Sequence, residues 1–200
     1  MDVNRGSTRR SLWPIILVAV VTIGASARAE AQTGLFASSL VGYNFGGDTG
    51  CQHVDGCTSR KINAAVSVGG LGKKYGLEEE MSFSPDFLGR APGMSSSVFT
   101  LMINGVVSPR IGPIRPYALA GLGLIRTHIQ LTTTSIFATT DSDFGWDAGG
   151  GVMGFVSDHF GVRGDLRYFR STDETNVLQL TLPNSKLRFW RVGAGVVVKF

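Results

Sequence analysis

The sequence predicts an all-β fold, an eight-stranded antiparallel transmembrane β-barrel with up-and-down meander topology. Three observations predict it. Apolar residues recur at period two in separate short stretches. No stretch after residue 31 reaches the ~18 uninterrupted apolar residues of a membrane helix. The connections between the stretches alternate between long and short.

The amino terminus stands apart from this pattern. Arg5, Arg9 and Arg10 face a single acid, Asp2, and an uncharged apolar run follows from Leu12 to about Ala27, then Ala29-Glu30-Ala31. A basic segment, a short apolar segment and a small-residue cleavage site describe a secretory signal peptide over residues 1–31, with the mature chain beginning at Gln32. The run is too short for a membrane anchor and contains Pro14. The Arg9-Arg10 pair suits twin-arginine export, but that route carries folded cargo, and a lipid-facing barrel does not fold in the cytoplasm. The leader holds four of the 19 basic residues and two of the 15 acids, which leaves the mature chain near +2. Without a lysine or arginine run, nucleic acid is excluded as a partner.

Residues 32–200 form the second segment, the barrel. Its last strand is the clearest. Trp190, Val192, Ala194, Val196, Val198 and Phe200 make one face; Phe189, Arg191, Gly193, Gly195, Val197 and Lys199 make the other. In a soluble sandwich the apolar face would be the core. In a membrane barrel it faces lipid, and the mixed face fills the lumen. The same alternation runs through Phe160–Phe169 and Phe144–Met153, with Val-Ser-Asp-His as a tight turn between them. Further strands centre on Phe99–Ser108, Leu77–Ser84, Ile62–Val68 and Val41–Phe45, while Tyr117–Ile125 is apolar on both faces and leaves its register open. Glu79 interrupts one outward face, near an end where the interface tolerates it.

The long connections are Gly47–Arg60, Pro85–Ser97, Thr127–Asp143 and Ser171–Leu187; the short ones are Lys73–Tyr75, Pro109–Ile114 and Val156–His159. Long extracellular loops and short periplasmic turns alternate in this way in outer-membrane barrels, and an even strand number puts both termini on the periplasmic side. A bilayer offers no partner to bare backbone groups, so the sheet must close. Eight strands leave an interior that side chains can fill. Glycine is abundant, at 27 residues, but it sits within the alternating runs; Gly149, Gly151, Gly193 and Gly195 make room there for large neighbours. Trp146, Phe160, Trp190 and Phe200 suit the two interfacial aromatic girdles.

From Gly34 to Phe200 the chain resembles the OmpA-like outer-membrane β-barrel domain family, here as a small barrel without a periplasmic domain. The resemblance rests on Leu40-Val-Gly-Tyr-Asn-Phe-Gly46, Phe83-Ser-Pro-Asp-Phe87, Arg115-Pro-Tyr117 with Gly121-Leu-Gly123, and Gly161-Val-Arg-Gly-Asp-Leu-Arg-Tyr168. It implies a fold and an address in the bacterial outer membrane, not a single shared activity. The terminal Phe200 is similar to the signal read by the barrel-assembly machinery, so that machinery, periplasmic chaperones and outer-membrane lipid are the implied partners.

Few residues suggest chemistry. Cys51 and Cys57 lie in the first long loop, and in an oxidising compartment they read as an intraloop disulfide. A metal site with His53, Asp55 and Asp48 is the alternative. Glu78, Glu80, Asp147 and Asp165 point inward by alternation, as do Arg163, Arg167, Arg191 and Lys199. They form either an ion-pair network that plugs the lumen or an ion pathway. His128 with Thr127 and Ser135, and His159 with Ser157 and Asp158, lack the spacing of a catalytic set. No phosphate-cradling loop or zinc-ligand cluster occurs, so no cofactor is expected.

Two functions follow. The first is a packed barrel that anchors surface loops for structural or interaction roles, with the Cys51–Cys57 and Thr132–Thr140 loops as contact regions for a ligand. The second is a narrow channel for ions or small solutes. A lipid-modifying enzyme is a distant third.

Overall fold

A computed structural model of the chain describes residues 34–49, 61–89, 94–131, 137–172, 176–177, 180–181 and 186–200. The leader, both cysteines, His53 and residues 132–136 fall outside them. The strands are β1 (Gly34–Phe45), β2 (Ile62–Leu71), β3 (Tyr75–Pro85), β4 (Met94–Val107), β5 (Ile114–Leu131), β6 (Phe137–Phe155), β7 (Phe160–Ser171), β8 (Asn176–Val177), β9 (Leu180–Thr181) and β10 (Arg188–Lys199).

Eight of them close into a barrel in the order β1-β10-β7-β6-β5-β4-β3-β2. Each barrel strand pairs antiparallel with its chain neighbours, and β1 closes on β10 from Phe36↔Lys199 to Phe45↔Trp190. Closure leaves no sheet edge around the wall, as a bilayer requires. The short pair β8–β9 lies in the connection between β7 and β10.

Side-chain burial is inverted relative to a water-soluble protein. On β7, Arg163, Asp165, Arg167 and Phe169 are buried, while Val162 and Leu166 are 59% and 43% exposed. On β10, Phe189, Arg191 and Val197 are buried, and Val192 and Val196 are exposed. An outward wall of Val, Leu and Ile around buried Arg and Asp suits lipid outside and a filled lumen inside. At the long-loop end, Trp146, Tyr168 and Trp190 line up on the outer face with centroids 5.6 and 5.0 Å apart. At the short-turn end, Tyr75, Phe160 and Phe200 are exposed. Trp190 and Phe200 are ten residues apart. At ~3.3 Å per residue and a tilt of ~40°, that span gives an apolar band of ~25 Å, the height of a hydrocarbon layer.

Several elements run further than alternation of apolar residues predicts. β1 starts at Gly34, β4 at Met94, and β5 and β6 continue to Leu131 and from Phe137, so most of Thr127–Asp143 is paired strand and not loop. Thr127↔Asp141 and Ile129↔Thr139 are register partners there. Beyond the apolar band a strand has no lipid face, so its apolar alternation stops while its backbone pairing continues. The open register of Tyr117–Ile125 is settled by burial: Tyr117, Leu119 and Ile125 face in, and Leu122 and Leu124 face out. Glu79 does point outward, between Val68 and Ile103 on the flanking strands. It is the fifth residue of β3, inside the strand rather than at its rim.

Candidate functional site

The lumen is built in three layers. At the short-turn end Phe36, Leu71, Val106, Tyr117, Leu119, Met153 and Val197 form an apolar cluster. At the long-loop end Phe87, Val98, Met102, Ile125, Phe169, Leu187 and Phe189 form another. There Phe189 stacks on Phe169 at 4.9 Å and meets the edge of Phe87 at 4.8 Å. Between these seals lie the charges.

Arg163 and Arg167 project from β7, and Glu78 and Glu80 from β3. In the closed order these strands are four apart in either direction, so they stand on opposite sides of the barrel. The ion pairs therefore cross the full diameter. Arg163 Nη1 lies 2.6 Å from Glu78 Oε2 and its Nη2 3.1 Å from Oε1. Arg167 Nη2 lies 2.8 Å from Glu78 Oε1, 2.7 Å from Glu80 Oε2 and 2.8 Å from Asp165 Oδ2. Arg191 on β10 pairs with Glu80, and its Nη1 donates to Ser82 Oγ at 2.8 Å. Asp147 on β6 is 3.5 Å from Arg167 Nη1. With the Asn104 amide oriented to satisfy both neighbours, its nitrogen donates to Asp147 at 2.7 Å and its oxygen accepts from Arg167 at 3.2 Å.

Neutral groups complete the set. Arg163 Nε donates to the Tyr117 hydroxyl at 2.8 Å, and Tyr117 donates to Asp165 at 3.2 Å. Ser38 and Ser67 hydroxyls are 2.7 Å apart, each 3.1 Å from Arg163 Nη1. The Arg163 guanidinium also lies 4.8 Å from the Tyr117 ring centre, and that of Arg191 lies 4.5 Å from the ring of Phe169. Desolvating ions costs several kcal/mol each, and only dense pairing of this kind offsets it. Two glycines make the space: a Cβ on Gly149 would sit 2.9 Å from Arg167 Cγ, and one on Gly151 would sit 2.6 Å from the Tyr117 hydroxyl.

Seven of the eight charges assigned inward by alternation thus meet in one network: Glu78, Glu80, Asp147, Arg163, Asp165, Arg167 and Arg191. Lys199 stands apart. It is half-buried at the short-turn mouth with its amine 5.8 Å from the Phe155 ring centre, and it makes no ion pair with a described residue. Sequence reasoning missed Tyr117, Ser38, Ser67 and Asn104. Tyr117 sits in a run apolar on both faces, where alternation carries no signal, and short hydroxyl side chains are uninformative about direction. At the His159 turn, the Phe160 amide donates to Ser157 Oγ at 3.0 Å and the His159 carbonyl accepts from the Lys199 amide at 2.7 Å, so both residues serve the turn. Among the described residues, no group of three or more His, Cys, Asp or Glu side chains is placed to hold a metal ion.

A closed barrel with a lipid-compatible wall and a charge-filled interior defines a membrane β-barrel. The model for the family described as outer membrane protein beta-barrel domain matches residues 15–200, and the chain belongs to that family. Its place is accordingly the bacterial outer membrane. Neisserial surface protein A is similar in fold, with 17% identity, a TM-score of 0.60, and coverage of 84% of this chain and 97% of that one. A major outer membrane protein from Thermus thermophilus matches at 10% identity and a TM-score of 0.58, covering 84% and 100%. The N-terminal β-barrel domain of Pseudomonas aeruginosa OprF matches at 14% identity and a TM-score of 0.54, covering 86% and 100%. At these identities the likeness is one of fold alone. No curated protein matches the sequence.

Proposed function

We propose that this chain is a sealed barrel whose work is done outside the membrane core, as an anchor for surface loops with structural or interaction roles. The observation that carries the reading is the lumen itself. Side chains of β3, β6, β7 and β10 span it with ion pairs, and an apolar layer lies at each end. A pore would need a continuous polar path, and among the described residues an apolar cluster stands across each end of it. In this reading residues 1–31 are removed on export, the short turns and both termini face the periplasm, and the long loops face outward. Phe200, exposed at the end of an alternating apolar face, suits recognition by the barrel-assembly machinery. The long β5–β6 hairpin adds to the outward surface, and no catalytic role is assigned.

Single-channel conductance of the refolded protein in a planar bilayer tests this, with Arg163→Ala and Arg167→Ala beside it. The expected result is silence from a verified folded wild-type barrel. Steady openings that change with those substitutions would make it a narrow channel with the inward charges as its filter.

A further inference from the structure

Arg115 differs from the other buried guanidiniums of the barrel. It sits at the start of β5, faces inward and is 5% exposed. Its Nε donates to Ser108 Oγ at 3.0 Å, and its Nη2 donates to the Gly72 carbonyl at 2.5 Å and reaches the Ser108 carbonyl at 3.5 Å. Every one of these partners is neutral. Arg163, Arg167 and Arg191 each meet a carboxylate; Arg115 makes no ion pair with a described residue. A guanidinium little exposed on its protein side and held only by neutral groups is left short of charge compensation where it borders the mouth.

The missing charge has a place to go. A cavity of about 320 Å³ opens at the short-turn mouth, and Arg115, Arg110 and Lys199 line it together with Ser157. Asp158 is the single acid in that lining. Three cations against one carboxylate leave a formal +2. The Gly72 carbonyl that holds Arg115 adjoins Lys73 and Lys74, which lie outside that lining. Two arginines and a lysine lining one small cavity suit an oxyanion. A surplus of two charges matches a phosphate group, which carries ~1.5 to 2 negative charges near neutral pH, better than a single carboxylate.

We infer that the short-turn mouth of the barrel is a phosphate-binding site formed by Arg110, Arg115 and Lys199. The site does not depend on which way the barrel faces, nor on whether the lumen conducts. The phosphate can come from a free anion or from a phospholipid headgroup of the adjoining leaflet, and two arms of one experiment separate these sources.

The first arm titrates inorganic phosphate into the full-length folded barrel in zwitterionic detergent, followed by phosphorus NMR and calorimetry. The second repeats the comparison in phosphatidylcholine vesicles with and without phosphatidylglycerol, and reads how much anionic lipid is retained after purification. Variants are Arg110→Ala with Lys199→Gln, Arg115→Gln, and Lys73→Gln with Lys74→Gln as a control for general surface charge. Heat-modified gel mobility verifies folding of each. Arg110 and Lys199 lie at the mouth, so their variant remains informative even if Arg115→Gln fails to fold.

Saturable phosphate binding that weakens about tenfold in Arg110→Ala/Lys199→Gln and little in the lysine control supports the site with a free anion. Phosphatidylglycerol retention lost through the same two substitutions supports it with a headgroup. No saturable binding in either arm overturns it, as does binding that follows Lys73 and Lys74 equally.

Discussion

Arg163 and Glu78 are 85 residues apart in sequence and meet in a two-pronged ion pair across the barrel, at 2.6 and 3.1 Å. A fork of this geometry fixes both side chains in orientation as well as in distance. Glu78 also accepts from Arg167 at 2.8 Å, so one carboxylate serves two guanidiniums.

Removing that carboxylate should be strongly destabilising. Glu78→Ala leaves two buried guanidiniums undercompensated, and breaking a buried pair costs roughly 3–5 kcal/mol. Urea unfolding in detergent micelles or thin bilayers measures it. A double-mutant cycle with Arg163→Ala should show strong coupling, and additive losses would refute the pairing.

The outer wall makes the opposite prediction. Val66 is 53% exposed and faces outward. If lipid covers it, Val66→Arg destabilises by roughly 2–4 kcal/mol near the midplane, whereas a water-facing residue would tolerate it. Glu79→Leu, between Val68 and Ile103, should stabilise by about 1 kcal/mol for the same reason. Unfolding in vesicles reads both.

Two glycines on the wall differ in what surrounds them. A Cβ on Gly149 would meet the Leu166 carbonyl at 2.3 Å and Arg167 Cγ at 2.9 Å, whereas one on Gly164 meets nothing closer than 3.9 Å. Gly149→Val should therefore cost roughly 1–3 kcal/mol through overpacking, and Gly164→Ala should be silent. Equal behaviour of the two would mean that β7 does not crowd Gly149.

Phe200 is 75% exposed and faces away from the lumen. Phe200→Asp should leave refolding into detergent unchanged while lowering the amount of barrel assembled in cells. If both fall together, Phe200 acts through stability and not through recognition.

Much of this was legible in the sequence because lipid and lumen impose opposite chemistries on alternate residues. On β7 and β10, where Arg163, Arg167 and Arg191 interrupt apolar runs at every second position, the faces could be assigned from the residues alone. The signal fails where both faces are apolar, as at Tyr117–Ile125, because the lumen's sealing layers are as hydrophobic as its wall. It fails again at Thr127–Asp143, where the strands leave the apolar band and only backbone pairing remains. Lys199 shows a third limit. Alternation gives a direction but not a height, and Lys199 points inward below the layer where its expected partners lie.

The struts between β3 and β7 also bear on how the barrel comes into being. Until the sheet has curled and the seam between β1 and β10 has closed, β3 and β7 lie four strands apart in an open sheet, with Glu78 and Glu80 separated from Arg163 and Arg167. An unfinished wall would carry Glu78 and Glu80 unmatched, and Arg163 and Arg167 with only Asp147 and Asp165 of their own side, into a medium that rejects them. Closing the seam therefore completes the neutralisation of the interior, and a half-built wall is disfavoured by its own unpaired charges.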